Sequence, residues 1–148
     1  MKLGKKKNIL IGIVLLTAVF FSCKRRDPMS EMISAFINSS TKVNIAFGDR
    51  LDTNQTIIDT TISNTSEVEK IKNFIAQSSK RDTCYQPSGT ITFLKSSGDG
   101  FLIDFGLNSQ CPAYYFYTEG KPIVLKMSYQ AGMYLSELQN ILLSNRSK

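Results

Sequence analysis

Tyr115 and Tyr117, in the stretch YYFYT, stand two residues apart, the spacing that puts both on one side of a β-strand. Tyrosine joins a broad apolar ring to a hydrogen-bonding tip and has little side-chain entropy to lose, so such a pair suits a polar ligand or a protein partner. Asp104, Lys126 and Thr92 share the same alternation in neighbouring apolar runs and complete a candidate binding set of Tyr115, Tyr117, Asp104, Lys126 and Thr92. Catalytic chemistry has less to work with. The 148 residues include no histidine, which removes the Ser-His-Asp and Cys-His arrangements and the histidine-bearing zinc sites. No P-loop, GxGxxG fingerprint or CxxC pair occurs. Two carboxylates alone can hydrolyse a glycoside; Asp99 and Asp104 are the nearest candidates, although Asp99 sits in a turn-forming stretch where aspartate is ordinary. Asp49, Asp52 and Asn54 are spaced like part of a calcium loop, but its glycine and closing glutamate are missing. The chain is therefore expected to be no enzyme and to hold neither cofactor nor metal.

Holding the tyrosines on one surface requires a sheet, and the hydrophobic period supplies one. Val43, Ile45 and Phe47 mark one strand, and Ile58, Thr60 and Ile62 a second. TITFL at 90–94 and FLIDFGL at 101–107 flank SSGDG, whose two glycines offer the positive φ that a tight hairpin needs. YYFYT at 114–118 and PIVLKM at 122–127 flank Glu119-Gly120, and a turn there sets Tyr115 opposite Val124 and Tyr117 opposite Pro122. Ile91, Phe93, Phe101, Ile103, Phe105, Tyr114, Phe116, Ile123, Leu125 and Met127 then fall on one face, dense enough to be the core side. The two tyrosines fall on the other, either facing solvent or packed across strands under a loop.

Three helical stretches frame these strands. Asp27-Pro28 can open the first, with Met29, Met32, Ile33, Phe36 and Ile37 as its apolar face. Ser66-Glu67-Val68-Glu69 reads as a capping box for the second, buried along Val68, Ile71, Phe74 and Ile75, with the pairs Glu67–Lys70 and Glu69–Lys72 on its wet side. The third runs from about 131 to 144 with Leu135, Leu138, Ile141 and Leu142 on one side. The order α-β-β-α-β-β-β-β-α predicts an α+β domain, an antiparallel sheet with helices packed on one face.

The N-terminus carries the clearest signal. Lys2, Lys5, Lys6 and Lys7 precede the uncharged run Ile9 to Phe21, which is too short for the ~20 residues of a membrane-spanning helix and suits a secretory signal. With Ser22 and Cys23 following, residues 1–23 resemble the signal of bacterial lipoproteins, in which a small residue precedes a cysteine that is acylated and becomes the first mature residue. Phe20 and Phe21 depart from the family pattern, which usually has leucine and a small residue there. The resemblance implies three segments: a signal peptide at 1–22, a lipidated Cys23 with a basic tether to residue 28, and a single α+β domain at 29–148.

It also implies membrane attachment through the lipid, in the bacterial cell envelope, facing the periplasm or the exterior. Disulfides persist in such compartments, so with Cys23 committed to lipid the remaining cysteines, Cys84 and Cys111, are expected to pair. They lie nearly equidistant from the SSGDG turn and would face each other across the open end of the hairpin to within a residue or two.

The charge changes with the signal. The full chain carries 18 basic and 12 acidic residues, net +6; removing the four N-terminal lysines leaves 14 against 12, and a net +2. Nothing in that balance calls for nucleic acid. The expected activity is that of a lipid-anchored binding module with a protein or glycan partner in the envelope; the contrasting expectation is a small carboxylate-dependent hydrolase acting on envelope glycans.

Overall fold

A computed structural model describes residues 28–48, 57–80, 85–118 and 121–146. Cys23, Cys84, the Glu119-Gly120 turn and the Asp49, Asp52 and Asn54 stretch lie outside the described residues. The chain divides into two compact units, 1–32 and 33–148. Of the first only residues 28–32 are described, and they form the opening turn of helix α1 (Pro28–Ser39).

Strands β1 (Lys42–Phe47) and β2 (Ile58–Ile62) follow, then α2 (Thr65–Ala76) and a two-residue strand β3 (Ser79–Lys80). Next come β4 (Gly89–Leu94), β5 (Gly100–Gly106), β6 (Ala113–Thr118) and β7 (Lys121–Lys126), and α3 (Tyr129–Arg146) closes the chain. This is the expected α+β fold with six main antiparallel strands, in spatial order β2-β1-β4-β5-β6-β7, and β3 added beside β7. Hairpins make the β4–β5 and β6–β7 pairings; β1 pairs with β4 across more than forty residues, through Val43↔Phe93 and Ile45↔Ile91.

Alternation sorts the strands onto two faces. Val43, Ile45, Phe47, Ile91, Phe93, Ile103, Phe105, Tyr114 and Phe116 form one buried cluster with Ile37 of α1, Val68, Ile71 and Ile75 of α2, and Ala131 and Leu135 of α3. The expected core side of the sheet is therefore the helix-covered side. Each fully buried Ile or Phe contributes about 1.5–3 kcal/mol by leaving water. Edge-on contact of the Phe47 and Phe105 rings, 5.6 Å between centroids, adds a directional part.

Local expectations needed four corrections. The α2 cap is Asn64 rather than Ser66: its Oδ1 accepts from the Ser66 and Glu67 amides at 3.0 and 3.2 Å, so the helix begins one residue before the expected box. Lys72 is buried instead of solvated, because its ammonium donates to the carbonyl of Asn38 at 3.0 Å, near the end of α1, as well as to Glu69 at 2.7 Å. In the SSGDG turn only Gly98 adopts positive φ, at 92°, while Gly100 already pairs with Leu94 in β5. Met32 and Ile141, expected on buried helix faces, are exposed.

Candidate functional site

The sheet face turned away from the helices is built from Asn44 and Ala46 of β1, Thr90 and Thr92 of β4, Leu102 and Asp104 of β5, Tyr115 and Tyr117 of β6, and Val124 and Lys126 of β7. All five residues of the expected binding set lie on it. Register sets Tyr115 opposite Val124 and Tyr117 opposite Pro122, as expected, and places Asp104 beside Tyr115.

The set does not gather as one site. Tyr115 has no exposed surface. Residues 85–88 pass over Tyr115: the Tyr85 ring meets the Tyr115 ring edge-on at 5.0 Å, and the Tyr115 hydroxyl accepts the Gln86 amide at 3.1 Å. Tyr115, Val124 and Ala113 form a small buried cluster of their own. The covering segment is tied down by the Ser88 amide on the Phe105 carbonyl at 2.7 Å, the Leu107 amide on the Ser88 hydroxyl at 3.1 Å, and a bond from Asn108 to the Gln86 side chain. Gly106 makes the passage possible, since a Cβ there would stand 2.5 Å from the Gln86 carbonyl oxygen and 2.8 Å from the Tyr115 hydroxyl. Of the two expectations for Tyr115, cross-strand packing under a loop is the one found, which corrects its place in the binding set: it is no part of an exposed surface.

Tyr117 remains on the surface, 46% exposed, and Tyr85, equally exposed, joins it. Their hydroxyls are 2.5 Å apart. The Tyr117 hydroxyl also bonds Asp104. In the Tyr85–Tyr117 bond either hydroxyl can donate; when Tyr117 gives its proton to the Asp104 carboxylate, Tyr85 gives its own to Tyr117. Partial burial first, and then these bonds, hold the Tyr117 phenol well above the usual tyrosine range. It is thus a neutral hydrogen-bonding group at all physiological pH and no general base.

Thr92 lies one strand beyond Asp104 and pairs with Leu102, whereas Lys126 pairs with Ala113 at the opposite end of β6 from Tyr117. Strand and row spacings put Thr92 and Lys126 roughly 20 Å apart, too far for one small ligand to touch both. The Asp99 and Asp104 pair fares no better. Asp99 sits in the β4–β5 turn, where the Ser97 hydroxyl bonds it at 2.7 Å. Five residues of extended chain separate it from Asp104 by ~17 Å, beyond the ~5–9.5 Å that paired glycosidase carboxylates need.

Sequence reasoning missed Tyr85. It precedes Gln86-Pro87 in a stretch without hydrophobic period, and only a contact with β6, some thirty positions away, gives it a role. Among the described residues no cluster of metal-ligating side chains occurs, and no helix is long and apolar enough to cross a membrane.

The fold and site define a small α+β domain with one helix-covered and one tyrosine-bearing sheet face. No family model, curated protein or solved structure matches the chain.

Proposed function

We propose that the chain is a lipid-anchored lipoprotein of the bacterial envelope whose domain binds a protein or glycan through the Tyr85–Tyr117 patch over Asp104. The observation that carries the binding reading is the half-exposure of both tyrosines together with the contact between their hydroxyls beside Asp104. Two rigid rings and an oriented polar tip offer contact area at little entropic cost. Attachment rests on the signal-like layout of residues 1–23, with Cys23 as the acylated first residue.

A Cys84–Cys111 disulfide belongs to the same proposal. Its support is that Cys111 is buried and is no free thiol, and that the chain just after Cys84 is bonded along residues 105–108, just before Cys111. Closing a loop of about 28 residues would stabilise the fold by roughly 3–4 kcal/mol. It would also fasten the segment that delivers Tyr85 to the site.

The test compares the native chain with a Tyr85→Ala, Tyr117→Ala double variant, each made in a bacterial host and used to capture envelope proteins and glycans. Loss of capture with little change in thermal stability is expected; unchanged capture overturns the site. Mass spectrometry of the same native material checks the anchor, which requires an acylated Cys23 at the mature N-terminus.

A further inference from the structure

The two edges of the sheet are built differently. Beyond β7 the strand β3 pairs with Leu125 and Lys126, and β7 begins with the sequence Lys121-Pro122. A short edge strand, lysines and a proline are the ordinary means of keeping an edge from pairing. Among the described residues β2 pairs with β1 alone, and its sequence IDTTI has no proline, no lysine and no glycine. Among the described residues no further strand lies on that edge.

Apolar surface collects at the same edge. Ile57, next to β2, is 48% exposed. Helix α3 leaves the end of β7 and touches β2 at the far side of the sheet. Its 18 residues cover ~27 Å at 1.5 Å each, enough for the ~24 Å from β7 to β2, so its last turns reach the β2 edge. Those turns carry Ile141, 54% exposed.

We infer that two copies of the chain pair edge to edge through β2, antiparallel about a two-fold axis at Thr60. The register is self-complementary. Thr60 faces Thr60 of the second copy, and Ile58 faces Ile62 on the side shared with the helices. Asp59, on the other side, faces Thr61 instead of another carboxylate. Threonine pairs and β-branched apolar pairs are favourable cross-strand neighbours, and like charges directly opposite are not. A second copy also accounts for Ile141, because the two-fold places the ends of both α3 helices beside each other above the joined strands; an added peptide strand would leave them uncovered. Five residues of strand with two helix ends make a small interface, so the dimer is weak and reversible. This surface is separate from the Tyr85–Tyr117 patch and stands or falls independently of it.

Sedimentation equilibrium of the full chain, in nonionic detergent with micelles in large excess, tests the pairing. A reversible monomer–dimer equilibrium is expected. Thr61→Asp sets a carboxylate against Asp59 at both symmetric contacts and should weaken the dimer about tenfold, whereas Thr61→Lys makes two ion pairs and should tighten it at low salt. Combining Asp59→Lys with Thr61→Asp exchanges the charges and should restore association. Circular dichroism checks that the exposed substitutions leave the fold intact. A single monomeric species at every concentration overturns the inference, as does a dimer indifferent to all three variants, or a monomer that takes up an extended peptide at β2.

Discussion

The two faces of the sheet are made from the same strands at alternate positions, yet they are stabilised differently. The helix-covered face is a continuous set of Ile, Val and Phe closed by three helices, and its stability lies in apolar area removed from water. The opposite face is mostly polar. Among the described residues it buries Ala113, Tyr115 and Val124 as an apolar cluster, and residues 85–88, held by hydrogen bonds, lie over Tyr115. One face can lose a contact only by opening a cavity. The other is expected to open its cover while the domain stays folded.

The sharpest way to break this comparison is to truncate one aromatic on each side. Phe105→Ala should destabilise the domain by about 3–5 kcal/mol, because the ring is fully buried and its neighbours cannot collapse into the space. Tyr117→Ala should cost under ~1 kcal/mol, since the ring is already half in water. Urea unfolding midpoints measure both, and similar losses would contradict the contrast between the faces.

Gly106→Val probes the cover itself, with the next largest effect. Its side chain would enter the space of the Gln86 carbonyl and the Tyr115 hydroxyl, so the segment must lift or strain. A loss of about 1–3 kcal/mol is expected. Hydrogen exchange should quicken at the Gln86 and Ser88 amides, which donate to Tyr115 and Phe105, and stay slow in β1. Uniform acceleration across the sheet would mean that the cover and core are one cooperative unit.

This difference also explains what could be read from sequence. Ile91 and Phe93, like Ile103 and Phe105, alternate because one face of each strand is buried, so strands, faces and the β6–β7 register were legible from period and turn residues alone. The parity of Tyr115 and Tyr117 was legible for the same reason. Their fates were not. Tyr115 is covered by Tyr85 and Gln86, and no local pattern announces a segment whose hydrogen bonds all reach distant strands. Lys72 was misread similarly: an (i, i+3) glutamate suggested a solvated pair, while the decisive partner was the carbonyl of Asn38 on another helix.

Alkaline pH separates the faces by a smaller effect that involves both. Tyr134 of α3, against the helix-covered core, has its phenol pushed up to about 12 by burial first and then by its 3.0 Å bond to Glu67. Tyr117 is raised too, by partial burial, Tyr85 and Asp104. A phenol whose folded pKa lies above its unfolded value of ~10 contributes stability that is complete below pH 10 and declines as pH rises toward the folded value. Stability should therefore be flat up to about pH 10 and fall between ~10 and ~12, with tyrosinate absorbance rising late and together with unfolding. Tyr134→Phe should shallow that fall, and an unchanged slope would show that Tyr134 ionises alike in both states.

The smallest change in stability should come from Tyr117→Phe, which keeps the ring and removes one oxygen. That oxygen has two partners, the Asp104 carboxylate and the Tyr85 hydroxyl. Water reaches the site and can replace either bond, so unfolding should shift by under ~1 kcal/mol. Binding should respond more. Without the oxygen, the Tyr85 hydroxyl loses its acceptor and turns freely, and the carboxylate of Asp104 loses its link to the surface. If the ligand is held by the oriented hydroxyl chain, Tyr117→Phe should weaken capture by about tenfold and Tyr85→Phe, which leaves the Tyr117–Asp104 bond in place, by less. If ring contact alone holds the ligand, both phenylalanine variants should bind like the native chain while the alanine variants do not. Titrating the four variants against the captured partner distinguishes the two, and the first order of effects is the one expected if the linked hydroxyls hold the ligand.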